Sequence, residues 1–429
     1  MELSKLSQDK QDMIPVLSTM FTDPNQELLR IQGGAGVGKT TVVEMIVRHF
    51  LKFNEIQCIV DPQTKLLTSD NVFLTATTNQ ALSVLDDLAG RKLEKDFGTI
   101  TCRTIYSLLT LKVFNDYVTG ETKVSRNHKQ SCMKFPENSL IIIDEASYAD
   151  GILWHHIKEQ ILSKNLNIIL VADYYQASPV GCAVSPIFDK NIPVYTLYER
   201  FRYPVNSAIH LNSLAIERAI DTGVMDLLLF DETFEHINHK QLSGVIKHHC
   251  IDNDFNAKIL AYKNDTVIGY NKWVCQQKYG DVGFHLGQEV YANQYYLLGD
   301  AHIYNNQKLT IKDIGTKFTL PSGLVVRNVM FKELGSVSLQ IFDSYTQFNS
   351  FLKNAKKNKD WHTFYSLKES IIDIRHSWAS TTHKAQGSTY DYSIVDFNDL
   401  KKITNPLLFY RLLNVAITRP RHKVFICEG

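Results

Sequence analysis

The chain has 429 residues, a formal net charge of +1, 44% hydrophobic and 21% charged residues. That balance belongs to a folded globular protein and disfavours disordered and fibrous classes; at roughly 150 residues per domain it leaves room for about two to four domains. The near-zero charge neither announces nor excludes nucleic acid, because binding needs a local basic stripe rather than a global excess.

In chain order, the first thirteen residues lack the apolar core of a signal peptide. Residues 8–21 read as a helix, with Met13, Ile14, Leu17 and Phe21 on one face. Residues 28–32 read as a buried strand that runs through glycines into a helix over 40–51. Short apolar runs at 58–60, 72–76, 140–143 and 168–172 read as further strands, separated by helix-like stretches. Strands alternating with helices predict a parallel α/β sheet with right-handed crossovers. A second such set lies at 257–262, 394–397 and 423–427.

Two segments break this rhythm. Residues 111–135 alternate around Thr119-Gly120-Glu121-Thr122 and predict a β-hairpin. Residues 284–343 are rich in β-formers, with turns at Gly299-Asp300, Asn305-Asn306 and Pro321-Ser322-Gly323, and predict a small antiparallel barrel inserted into the second α/β unit. Residues 344–375 look helical, and their lysines 353, 356, 357 and 359 read as a solvated face. The seven cysteines (58, 102, 132, 182, 250, 275 and 427) form no CxxC pair. A zinc knuckle or disulfide framework is therefore disfavoured, and isolated thiols suit a reducing cytosol. No apolar run is long enough to span a bilayer.

The chemistry begins at Gly33-Gly34-Ala35-Gly36-Val37-Gly38-Lys39-Thr40, which fits GxxxxGK[ST] between a strand and a helix. Glycines let backbone N–H groups converge on phosphate oxygens, and the helix N-terminus adds a favourable dipole. Lys39 is the candidate to neutralise the β- and γ-phosphates of ATP, with Thr40 as a magnesium ligand and Thr41 beside it. The strand ending in Asp144-Glu145 places two acids at the same sheet edge. Asp144 is the candidate for the Mg2+ shell and Glu145 the base that polarises the attacking water. Gln176, after another strand, is a candidate to bond the γ-phosphate or the lytic water. Arg202 and Arg419 could enter from a second domain to stabilise transition-state charge. A kinase-like or small-molecule NTPase would explain Lys39 and Asp144, and a nucleotide-gated DNA clamp or loader could keep the whole set.

Eight ordered segments decide between these readings. They are GGAGVGKT (33–40), TATTNQA (75–81), TIYSLL (104–109), IIIDEAS (141–147), ADYYQASPV (172–180), LYERFR (197–202), STTHKAQGSTYD (380–391) and LNVAITRPR (413–421). Together they resemble the superfamily 1 DNA helicases, and within them the RecD-like branch. The HKAQGST and VAITR elements are the specific ones; the P-loop and DEA segments are shared by many ATPases. Three positions depart from the family pattern: Ala172 stands for a glycine, Tyr106 for a histidine, and Pro420 for a small residue.

The resemblance implies two RecA-like domains, with ATP between them and single-stranded DNA across their tops. It implies a first RecA-like domain at 1–110 and 136–190, a pin at 111–135, a second RecA-like domain at 191–283 and 376–429, and an SH3-like domain with a helical extension at 284–375. Lys39, Glu145, Gln176, Arg202 and Arg419 are then catalytic. The P-loop residues Gly33, Gly34, Ala35, Gly36, Val37, Gly38, Thr40 and Thr41 hold nucleotide. Gln386 and Gly387 match the segment linking nucleotide to DNA, and Gln11 the glutamine that reads adenine, though its spacing from Leu6 is one residue longer than usual. Thr78, Thr104, Tyr106, Ser380, Thr381 and His383 fall where the family touches DNA; Phe114 and Tyr117 are candidate pin aromatics. The expected partners are single-stranded DNA, single-strand/duplex junctions, and replication or recombination proteins, with no membrane. The expected location is cytoplasmic, that of a bacterial host if the chain is phage-encoded.

Overall fold

The computed structural model describes residues 6–23, 25–117, 119, 121–126, 134–162, 166–179, 182, 184–253, 255–298 and 301–429. Residues 118, 120 and 127–133 of the expected hairpin, and the Gly299-Asp300 turn, lie outside them.

The first unit supplies, in chain order, β1 (Leu28–Gly33), β2 (Val72–Ala76), β3 (Thr101–Thr104), β4 (Leu111–Asn115), β5 (Thr122–Arg126), β6 (Leu140–Asp144), β7 (Asn167–Ala172) and β8 (Val194–Leu197). Six of these form a parallel sheet in the order β3-β2-β6-β7-β1-β8. Its central strands read as unbroken apolar runs because helices cover both faces: Leu140, Ile141, Ile142 and Ile143 are all fully buried. One face packs on the helices Gln8–Thr22 and Lys39–Val60, the other on Gly151–Gln160. This parallel order aligns the C-terminal ends of β1, β6 and β7 along one edge, the crevice where open α/β sheets bind ligands.

The expected strand at 58–60 does not form. Those residues are the last turn of the helix Lys39–Val60, and the Asp61 N–H still bonds the Gln57 carbonyl at 2.8 Å. Ile59 and Val60 stand 80% and 74% exposed. A three-residue run with only two β-branched residues and no sheet edge beside it follows the helix it extends.

The hairpin β4–β5 is antiparallel, from Leu111 opposite Arg126 to Asn115 opposite Thr122. It leans on the helix Trp361–Ser370 near the C-terminal end of the large insertion. The Tyr117 hydroxyl donates to Glu369 Oε2 at 2.7 Å, and its ring lies 5.3 Å from Tyr365 and 6.0 Å from His362.

The second unit opens with β9 (Phe234–Ile237) and β10 (Ala257–Ala261). It is then interrupted by β11 (Glu289–Ala292), β12 (Tyr296–Leu298), β13 (Ala301–Ile303), β14 (Lys308–Thr319), β15 (Val325–Phe331), β16 (Ser338–Phe342), the helices Tyr345–Lys357 and Trp361–Ser370, and β17 (Ile374–His376). It resumes with β18 (Ala379–Thr381), β19 (Tyr390–Asp396) and β20 (Pro420–Cys427), giving a parallel sheet in the order β18-β10-β19-β20-β9. The interruption makes an antiparallel sheet, β16-β15-β14-β11-β17. The Ile372 N–H bonds the Gln340 carbonyl at 2.8 Å, so the sheet curls back toward its first edge. Val290, Ile311, Phe331, Ile341 and Ile374 fill the space inside. The end of the segment read as helical, 344–375, is therefore β17 and its approach. Lys353, Lys356, Lys357 and Lys359 are exposed, as a solvated face requires. Among the described residues no helix is long and apolar enough to cross a membrane.

Candidate active site

Gly33 ends β1, and its Cα faces Val37 and Leu197 too closely for a side chain. Gly36 and Gly38 take φ +85° and +79°, the left-handed conformations that turn the loop back onto the helix starting at Lys39. Lys39 Nζ reaches the carbonyls of Gly33 and Gly34 at 2.9 and 3.1 Å and Asp173 Oδ2 at 3.0 Å. Thr40 and Thr41 open the helix behind it. Ala35 and Val37 are buried in the loop.

Asp144, at the end of β6, is buried and accepts the Glu145 N–H at 2.8 Å. Glu145 itself takes φ +49°, a left-handed conformation that costs a non-glycine residue of order 1 kcal/mol and turns its side chain away from the strand. Its Oε2 is buried with no hydrogen-bond partner among the described residues. Burial and the adjacent Asp144 push the Glu145 carboxyl up to about 7. Burial likewise raises Asp144, against the pull of Lys39. Two abutting acids with so little compensation form a hard-oxygen donor set that suits a divalent cation.

The end of β7 closes the pocket. Asp173 is held by Ser147, whose Oγ accepts its N–H at 2.8 Å. Gln176 Nε2 donates to Asp173 Oδ2 at 2.8 Å. From the second unit, Gln386 Nε2 donates to Gln176 Oε1 at 2.5 Å. A continuous chain of hydrogen bonds thus runs Lys39–Asp173–Gln176–Gln386, across both units. Gly387 lies against Gln80, whose Nε2 donates to Ser388 Oγ at 2.8 Å.

The two arginines meet on the far wall. The Phe201 N–H bonds the Gly36 carbonyl at 2.9 Å, which seats Arg202 over the P-loop; its Nη1 donates to the Thr418 carbonyl at 2.6 Å. Arg419 is 4% exposed, and its Nε has no partner among the described residues. Burial and then Arg202 lower its affinity for a proton, while Glu145 and Asp173 oppose this. At the other end of the loop, Gln11 Nε2 donates to the Leu6 carbonyl at 2.7 Å, and the neighbouring Lys10 lies against Gly38.

The remaining residues form a second group. Thr78 and Thr104 cap the helices Asn79–Leu88 and Ile105–Leu108, accepting the N–H groups of Ala81 (3.2 Å) and Ser107 (3.1 Å). Tyr106 is half-buried against the core below β6. Phe114 and Tyr117 are 44% and 41% exposed on the hairpin. Ser380 and Thr381 line a cavity of about 940 Å³ with Gln80, Lys258, Lys384 and Gly387. His383 is half-buried, and that burial lowers its pKa. Asp173, Gln80, Arg200 and Glu217 were not singled out from sequence. Asp173 alone carried a usable signal, an acid ending a strand at the same edge as Asp144.

Residues 18–182 match the AAA domain family, and residues 376–427 match the UvrD-like helicase C-terminal domain. The chain is 22% identical to the ATP-dependent DNA helicase dda of Enterobacteria phage T4, over 92% of this chain and 93% of that one. It resembles a superfamily 1 helicase of the RecD and Dda kind. The RecBCD enzyme subunit RecD of Buchnera aphidicola is 23% identical over 97% of this chain and 75% of its own length. Two solved Pif1 structures share the fold of this helicase-like chain. One, of Pif1 helicases at forked duplex DNA, covers 98% of this chain and 92% of its own at TM-score 0.53 and 14% identity. The other, Bacteroides Pif1 with ADP-AlF3 and single-stranded DNA, covers 99% and 92% at TM-score 0.51 and 14% identity.

Proposed function

We propose that this chain is an ATP-dependent DNA helicase that moves 5′→3′ on single-stranded DNA and separates duplex strands ahead of it. The observation that carries the reading is the convergence of two lobes on one phosphate cradle. The first lobe gives Lys39, Asp144, Glu145 and Gln176; the second gives Gln386, Arg202 and Arg419.

ATP enters with its phosphates in the Gly33–Gly38 turn and its base toward Gln11. Lys39 then exchanges the Gly33 and Gly34 carbonyls for phosphate oxygens. Thr40 and Asp144 would hold Mg2+, which when bound supplies charge neutralisation to the triphosphate. Glu145 takes a proton from water as its oxygen attacks the γ-phosphorus and the bond to ADP breaks. Arg202 and Arg419 reach the developing charge only when the lobes are closed, so ATP favours closure and hydrolysis releases it. Gln176 and Gln386 carry that change toward Gly387 and the cavity lined by Ser380 and Thr381.

The expected boundary at 190 moves past β8, which pairs with β1 in the first sheet: residues 1–110 and 136–197 form the first RecA-like lobe, and 198–283 with 376–429 the second. The 111–135 hairpin is the pin that splits the duplex, with Phe114 and Tyr117 available to a base. The 284–375 insertion is an SH3-like domain whose helical extension braces the pin. Thr78, Thr104, Tyr106, Ser380, Thr381 and His383 lie along the strand's path. Contacts to backbone and stacked bases carry no sequence code, so binding is sequence-independent.

The test is strand separation on 5′-tailed and 3′-tailed DNA duplexes with ATP. Unwinding of the 5′-tailed substrate alone is expected. ATP hydrolysis stimulated by single strands without displacement of either duplex would replace the helicase by a clamp or loader.

A further inference from the structure

Arg200 and Glu217 come from the second lobe and face the P-loop, yet neither belongs to the machinery described above. They form an ion pair, and Arg200 Nη1 also donates to Ser213 Oγ at 2.8 Å. Their side chains are 9% and 8% exposed. The pair sits directly over Gly34: a Cβ built there would lie 2.6 Å from Glu217 Oε1 and 2.8 Å from Arg200 Nη2.

Glu217 is out of place chemically. Its Oε1 is buried with no hydrogen-bond partner among the described residues. Burial raises its carboxyl to about 7 against the pull of Arg200, and Asp173 adds to the rise. An anion beside Lys39 and the phosphate cradle opposes a triphosphate in the same space. A buried ion pair is also a weak source of stability, since apolar residues of like volume would serve as well or better. Its position over the cradle gives it a different use.

We propose that Arg200 is a third phosphate-binding arginine of the second lobe, and that Glu217 is the internal anion that the γ-phosphate displaces from it. Arg200 stands two residues from Arg202 in the same segment, on the same wall. With the cleft empty, Glu217 holds the guanidinium over Gly34. A γ-phosphate in the cradle offers Arg200 a stronger bidentate partner. Glu217 must then withdraw, and that exchange sets the cleft's preference for triphosphate over diphosphate. The proposal rests on the reading of the cleft as an ATP site.

The experiment uses the full chain and two probes, fluorescent mant derivatives of a non-hydrolysable ATP analogue and of ADP. Glu217→Gln removes the competing charge and keeps the volume. It should tighten the triphosphate analogue about tenfold and shift ADP by less than about twofold, from the worth of a hydrogen bond to a charged group. The double variant Arg200→Gln, Glu217→Gln leaves no buried charge unpaired, and its melting temperature reports that it is folded. It should lose the whole gain. Unchanged triphosphate affinity in Glu217→Gln, or a gain that survives in the double variant, overturns the proposal. Failure of the unaltered protein to bind either probe would instead overturn the ATP-site reading itself.

Discussion

Asp144 and Glu145 show how one environment can serve catalysis at the expense of stability. Both carboxyls are buried, and both are raised above their ordinary range. A base must be ionised to accept a proton, so ATP turnover should rise with pH through about 7, the value for Glu145, and level off above it. Glu145→Gln should bind nucleotide, lower kcat roughly 10²- to 10⁴-fold and abolish that pH dependence; a parallel pH profile in the variant would put the base elsewhere. The stability sign is opposite. An acid whose folded pKa exceeds its unfolded one costs the fold free energy once pH passes the unfolded value, and the cost is complete above about 7. At pH 8 the variant should melt about 2–4 °C higher than the parent, by calorimetry without nucleotide. Lys39→Ala should reduce hydrolysis to background while the far-UV spectrum stays folded. The P-loop and these acids were legible in sequence because their chemistry is local. The partner of Lys39 was not, since Asp173 lies 134 positions away and only the order of strands brings them together.

Elements were legible where periodicity and burial agreed. The parallel strands β1, β2, β6, β7, β10, β19 and β20, the hairpin and the antiparallel insertion follow from apolar runs and turn residues, whereas β3, β8, β9 and β18, three or four residues of mixed polarity each, were not foreseen. The reading failed where a short run had no long-range partner to make it a strand, as at 58–60, and where a strand was too short to announce itself, as β17 was. Nor could spacing say what the hairpin touches. Its contact is Tyr117 against Glu369, His362 and Tyr365, on the helix Trp361–Ser370. A wedge transmits force only if it is held, and this contact is small: the exposed hydrogen bond from Tyr117, a longer one of 3.5 Å from Asn115 Nδ2 to the same Glu369, and some ring packing, about 1 kcal/mol in all. Tyr117→Phe with Glu369→Gln should therefore leave ATP hydrolysis on single strands unchanged and slow duplex unwinding severalfold. Equal loss of both rates would make the hairpin part of the ATPase unit.

At the scale of the whole molecule, the two units meet beside the nucleotide cleft through polar contacts that include Gln176 with Gln386, Gln80 with Ser388, Tyr175 with Asp221 and Asn414, and Ser178 with Arg411. A ligand that adds contacts to both lobes at once shifts them further toward closure. Arg419 is the residue most plainly waiting for one. It is buried, its Nε is unpartnered among the described residues, and Arg202 is the like charge that acts on it most strongly. A desolvated guanidinium in that state destabilises the empty molecule and is repaid only when negative charge develops in front of it. Two measurements separate this from a structural role. Arg419→Ala should lower the DNA-stimulated kcat by about 10³-fold, the low end for an arginine acting on a phosphoryl transition state, with a much smaller change in KM for ATP. The same variant should raise the melting temperature of the nucleotide-free protein, because an ill-compensated buried charge has gone. A lower melting temperature with a change in KM alone would mean that Arg419 holds the second lobe together, and the closure of the lobes around the γ-phosphate would need another cation.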